Sequence, residues 1–132
     1  KKLSFSKEAQ REIAVAENAL REIVDLTFTA FETGDTTLAR KVEPLEQVID
    51  KITAEMRSNH ILRLQAGSCT IELGFILNDL INCFERISDH AVNILESAEE
   101  MRDKKIEFSI EAQRELAVLR RAVDDILVLV YI

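Results

Sequence analysis

Apolar residues recur along this chain at intervals of three and four, and the rhythm breaks at only a few places. Ile13, Ala16, Leu20, Ile23, Val24, Thr27 and Phe31 keep one stripe, with Arg11, Glu12, Arg21, Glu22 and Asp25 mostly opposite, which predicts a helix with one buried face. Ser6 stands before it as an N-cap, and Glu8 brings negative charge to the positive end of the helix dipole. Gly34 can turn left-handed and close the helix, and Asp35 or Thr36 then opens the next. The second stripe is Leu38, Val42, Leu45, Ile49, Ile52 and Met56. Pro44 interrupts it, and either kinks the helix or marks the first turn of its main segment. Gly67-Ser68 predicts the corner. A third helix follows from about Thr70 to Arg102, with Leu73, Ile76, Leu77, Leu80, Phe84, Ile87, Ala91, Ile94 and Ala98 as its apolar positions. At about 1.5 Å per residue it approaches ~50 Å, enough to run the length of a bundle.

After the charged link Met101–Glu107 the sequence repeats itself. Phe108-Ser109-Ile110-Glu111-Ala112-Gln113-Arg114-Glu115-Leu116-Ala117-Val118 echoes Phe5-Ser6-Lys7-Glu8-Ala9-Gln10-Arg11-Glu12-Ile13-Ala14-Val15, and Ala122, Ile126 and Leu129 extend the match to Ala19, Ile23 and Leu26. Self-similarity at a fixed offset marks a repeated supersecondary unit. The expected architecture is an all-α, up-and-down antiparallel helical bundle: a three-helix unit over residues 1–106, and the first helix of a second unit over 107–132, packed on the first or on a partner chain. The run Ile126–Ile132 is apolar all round, so it suits a helix covered on several sides, within the bundle or in a homodimer. A start at Lys1 and an apolar, uncapped end read as an excised piece of something longer.

Composition narrows the function. A formal charge of −7 over 132 residues, without Lys/Arg clusters interleaved with aromatics, argues against nucleic acid and anionic lipid as partners. No run approaches the roughly 20 apolar residues that span a bilayer, so no direct membrane insertion is expected. Cys69 and Cys83 read as free thiols of a reducing, cytoplasmic setting and as small packing residues. Three Gly, one Pro and a single Tyr argue against a turn-rich β fold.

The best claim to chemistry lies on the third helix. Asn82, Glu85, Asp89 and Asn93 fall three or four apart, forming a polar stripe beside the seam of Phe84, Ile87, Ala91 and Ile94. Glu46 and Asp50 repeat the Glu-x-x-x-Asp spacing on the second helix. Carboxylates on neighbouring helices can converge on one cation, and hard oxygen donors suit Fe, Mn, Mg or Ca. The same spacing also describes a solvated face whose carboxylates merely repel. His90 points about 100° around the helix from Asp89 and reads as a supporting or packing residue. His60, Cys69 and Cys83 match no compact zinc pattern. No nucleophile–base pair or glycine-rich phosphate cradle accompanies the carboxylates, so an enzyme is not expected.

The segment Phe84-Glu85-Arg86-Ile87-Ser88-Asp89-His90-Ala91-Val92-Asn93-Ile94 resembles the signature of PhoU domains, and the three-helix repeat resembles that family's unit. Val42–Asp50, the corner residues His60, Ile61, Arg63, Leu64, Gln65, Gly67 and Cys69, then Gly74-Phe75 and Asp79-Leu80, resemble the PhoU-like domain fused behind sodium/phosphate cotransporters. The resemblance implies a cytoplasmic regulator of phosphate uptake, carried as the soluble domain of an inner-membrane protein and not itself an enzyme. The partners it implies are the transporter's membrane domain or phosphate-signalling proteins. It also implies iron or another divalent metal held through Glu85 and Asp89, with Asn93 one turn on and Glu46 and Asp50 facing them. The alternative is a stand-alone PhoU-type phosphate-signalling regulator or metal-binding scaffold bundle. The second unit's remaining helices are absent from this sequence, so a second metal site is not expected within it.

Overall fold

The computed structural model describes residues 4–131, and the side chains of Leu127, Val130 and Tyr131 lie outside that description. Four helices appear among the described residues: α1 (Lys7–Thr33), α2 (Thr36–Gln65), α3 (Ile71–Asp103) and α4 (Ile110–Tyr131). The chain is all-α, as its periodicity predicts.

The boundaries follow from local chemistry. The Ser6 hydroxyl accepts from Ala9 N at 3.1 Å to start α1, and Gly34 ends it at φ 70. Asp35 Oδ1 accepts from Thr37 N at 2.8 Å and so opens α2. At the corner, Ser68 N donates to Arg63 O at 3.0 Å and Gly67 N to Leu64 O at 3.1 Å, with Gly67 at φ 73. This paired closure satisfies two of the carbonyls that a helix end leaves free. Lys105 closes α3 in the same way, with Ile106 N donating to Met101 O at 2.9 Å and a left-handed φ of 55 at a residue that is not glycine. Pro44 lies inside α2 and does not mark its first turn. Both Pro44 and Arg40, whose carbonyl loses its helical donor, are exposed, so water can satisfy what the ring removes.

By compactness the chain divides in two, one unit ending at Glu99 and the other beginning at Glu100. The first unit holds one continuous core: Ala16, Leu20 and Ile23 from α1, Val42, Ile49 and Met56 from α2, and Leu77, Ile81, Phe84, Ala91 and Leu95 from α3. Each fully buried Leu or Ile here contributes about 1.5–3 kcal/mol. On α3 the buried line is Leu77, Ile81, Phe84, Ser88, Ala91 and Leu95. That corrects the predicted seam: Ile76 is 49% exposed, whereas Ile81 is fully buried. Cys83 is exposed rather than packed, and Cys69 is partly exposed.

In the second unit α4 begins as α1 does. The Ser109 hydroxyl accepts from Ala112 N at 3.1 Å, and Gln113 Nε2 donates to Phe108 O at 3.1 Å, matching Gln10 Nε2 to Phe5 O at 2.8 Å. The repeat read from sequence is therefore a repeated cap geometry. Val118, Leu119, Ile126, Val128 and Leu129 are exposed. Ile132 and three side chains of the predicted apolar run Ile126–Ile132 lie outside the described residues.

Candidate functional site

The polar faces of α2 and α3 meet within the first unit. On α2, Glu46, Asp50, Thr53 and Arg57 follow at i, i+4, i+7 and i+11, one side of a helix. On α3, Asn82, Glu85 and Asp89 do the same. The first contact between the two rows is an ion pair: Arg57 Nη1 donates to Glu85 Oε1, and Arg57 Nη2 donates to Asn82 Oδ1 at 2.7 Å. The guanidinium thus spans a carboxylate and an amide with two fixed donors. Its hydrogen bond pulls the Glu85 carboxyl below the usual carboxylate range, against the opposing effect of burial, and the neighbouring Thr53 hydroxyl, which donates to Asp50 O at 3.0 Å, lowers it further. The same bond raises the Arg57 pKa.

Glu46 behaves in the opposite way. Partial burial pushes its pKa up, and the neighbouring charges of Asp50, Asp89 and Glu43 push it further. The charge of Asp89 on α3 thus reaches Glu46 on α2. Asn93 lies on the exposed flank, with its main-chain carbonyl accepting from Ser97 Oγ at 3.0 Å. His90 is exposed.

The five residues singled out by sequence thus fall into two groups. Glu46 feels the negative charges of Asp50 and Asp89, and carboxylate oxygens are the hard donors a divalent ion takes. Glu85 is already held by a cation, and Asn93 stands apart. Among the described residues no three His, Cys, Asp or Glu side chains are grouped closely enough to hold a metal as they stand. The residue that sequence reasoning passed over is Arg57. Its signal was present, since it continues the Glu46–Asp50 row two turns on.

A second polar cluster ties α1 to the end of α2. Arg63 Nη1 donates to Glu12 Oε1 at 2.8 Å, with the two side chains only 11% and 20% exposed. His60 is buried beside them, and its ring lies against the backbone of α3 at Gly74, where a Cβ would come within 2.9 Å of the imidazole. Glycine is needed there for close approach. Burial lowers the His60 pKa, Arg63 lowers it further, and Glu12 opposes both. Glu8, Arg11, Asn59 and Leu62 join Glu12 and Arg63 around a shallow groove of about 420 Å³. Its charges balance, so it does not favour an anion.

The PhoU domain family matches residues 14–98, which takes in nearly all of the three-helix unit and both polar rows. The chain belongs to the PhoU domain family. A relative from Thermotoga maritima, the phosphate-specific transport system accessory protein PhoU homolog 1, is 29% identical over 75 residues, 57% of this chain and 32% of that protein. The PhoU chain described here therefore spans about a third of the length of the curated relative it matches. No solved structure matches it. No helix among the described residues of this PhoU chain is long and apolar enough to cross a membrane.

Proposed function

We infer that this PhoU domain regulates phosphate uptake from the cytoplasmic side, acting through protein contact rather than catalysis. The observation that carries the reading is the family match over residues 14–98, with the signature Glu85–Ile94 set on α3 against the polar row of α2. The finer proposal is that it serves a sodium-dependent phosphate transporter, whose membrane domain is its partner. The softer matches at Val42–Asp50 and at the α2–α3 corner support that version. The relative's description as an accessory protein of a phosphate-specific transport system favours a second version, in which the domain works as a separate phosphate-signalling regulator.

Iron or another divalent metal on the polar seam belongs to the same proposal. Glu85 and Asp89, with Asn93 and the facing Glu46 and Asp50, would hold it only after their side chains regroup, since as they stand they are not close enough. A bound ion would cancel the repulsion that raises the Glu46 pKa and would brace α2 against α3.

The deciding measurement is radiolabelled phosphate uptake in cells whose genomic copy lacks residues 14–98, compared with the intact gene across external phosphate concentrations. Regulation predicts uptake that no longer adjusts to phosphate supply. Identical uptake curves would remove the reading. Cross-linking of the intact protein then separates the versions, the first predicting a membrane-domain partner and the second a soluble one.

A further inference from the structure

The rows that meet at Arg57 continue to the α2–α3 corner, where they turn apolar. On α2, Ile61 and Leu64 stand four and seven residues beyond Arg57, and on α3 Phe75 and Ile71 stand seven and eleven before Asn82. At those spacings each pair keeps the side of its helix on which Arg57 Nη2 meets Asn82 Oδ1 at 2.7 Å. Gly74 lets the helices close there, its missing Cβ leaving room for the His60 ring and, at 3.5 Å, for Leu64 Cδ2. The apolar side chains beside that contact still face water, with Ile71 and Phe75 71% and 70% exposed and Ile61 53% exposed. Among the described residues none of these three is part of the core or packed against it, so the stability of the unit does not account for them.

In the other direction the same rows become acidic, with Glu46 and Asp50 on α2 and Glu85 and Asp89 on α3. Asp50 and Asp89 are exposed, and Arg57, already bonded to Glu85, is the one cation in these rows. One face thus runs from an apolar end to an anionic end. Leu64 and Glu46 are 18 residues apart, about 27 Å along the axis. What covers such a face must carry the converse pattern. A chain of net charge −7 repels a second copy of itself and an anionic bilayer, so the counterpart is basic. A helix laid along the groove between two others is a recurring way to match an apolar strip.

We propose that this face of α2 and α3 docks a basic amphipathic helix of a partner protein. Its apolar residues seat among Ile61, Leu64, Ile71 and Phe75, and its Lys/Arg residues lie along Asp50 and Asp89. The inference rests on the reading above that the domain acts through protein contact, and it names the surface and the partner's chemistry. In the transporter version of that reading, the Lys/Arg-rich cytoplasmic loops of a membrane domain would supply the helix.

The test is fluorescence anisotropy of labelled helical peptides of about 18 residues, titrated with the full chain. One half is Leu/Ala and the other Lys/Ala, in both orders, with counterparts carrying Glu in place of Lys. One Lys order should bind, and its Glu counterpart should bind about tenfold or more weakly. Phe75→Ser and Ile61→Ser, at exposed positions, should each weaken binding about tenfold or more, and Asp50→Lys/Asp89→Lys should reverse the preference between Lys and Glu peptides. Val15→Ser, at an exposed valine of α1, should change nothing, and circular dichroism checks that each variant is folded. No binding of either Lys peptide, binding indifferent to Phe75, or an equal loss in Val15→Ser would overturn the proposal. So would self-association by sedimentation, or binding to phosphatidylglycerol vesicles, that Phe75→Ser abolishes, since a second copy or a lipid surface would then occupy the face. In cells, Phe75→Ser should uncouple uptake from phosphate supply as deletion of residues 14–98 does. Uncoupling by the deletion alone would overturn the surface and leave regulation standing. A deletion without effect removes the regulatory reading, and the peptide titration still decides the surface.

Discussion

Thr27 and Ser88 are almost completely buried, yet neither hydroxyl has a hydrogen-bond partner among the described residues. Thr27→Val exchanges the hydroxyl for a methyl on the same branched frame, so it opens no cavity and leaves the backbone preference nearly unchanged. An unpaired hydroxyl taken out of water costs about 1–3 kcal/mol. Thr27 is only 1% exposed, so most of that cost is recoverable. The expected gain is about 1–2 kcal/mol, which for a unit of this size raises Tm by about 4–16 °C. Urea unfolding followed by circular dichroism should show a higher midpoint at an unchanged slope, since the surface exposed on unfolding is the same. Ser88→Ala should move in the same direction, helped by the helix preference of alanine. A lower midpoint for Thr27→Val would refute the reasoning, because it would mean that the hydroxyl is bonded in solution.

Other tests address the α2–α3 corner and the caps. His60 is held below its ordinary value of 6.5, so the unfolded chain takes up the proton first. Stability is then complete above about pH 6.5 and falls as pH drops toward the folded value, and His60→Gln should flatten the urea midpoint between about pH 7 and 5; an unchanged slope would exclude His60 as the source. Glu85 acts lower, its stabilisation being present above its ordinary value of 4.5 and lost as pH falls from there through the depressed folded value. Gly74→Ala gains about 1 kcal/mol of helix preference but overpacks His60, which costs about 1–3 kcal/mol, so net destabilisation is expected. In a His60→Ala background the same substitution should stabilise, and a double-mutant cycle with no coupling would exclude the contact. Asp35→Ala should cost about 1 kcal/mol through loss of the α2 cap, read in the same unfolding assay.

The parts of this fold most legible in the sequence are those governed by single residues. Ser6, Gly34, Asp35 and Gly67 each hold one backbone position that few other residues serve as well, and all four do what their chemistry predicts. The seam of α3 was harder to read. Ser88 sits on its buried line, and a line traced through apolar residues alone steps around a serine. That drew attention to Ile76, Ile87 and Ile94 and away from Ile81 and Leu95. That α2 and α3 each carry a polar row was legible from the spacing of Glu46 and Asp50 and of Glu85 and Asp89. The role of Arg57 was not, since which cation closes a gap depends on the relative heights of the two helices, and periodicity fixes only their faces. His60 was hidden for a similar reason: its neighbours Glu12 and Gly74 lie 48 and 14 residues away in sequence.

The matching starts of α1 and α4 bear on how a chain with two helices that open alike keeps them apart while it folds. Their caps carry the same hydrogen bonds, so the opening turn offers no discrimination. Further along, Ala16 lies in the core at 1% exposure, and Leu119 occupies the corresponding place in α4. Forcing three additional carbons into a filled site costs about 1–3 kcal/mol. A single alanine thus acts as a proofreading position, turning the wrong helix away from the berth of α1 after the shared cap has let it begin.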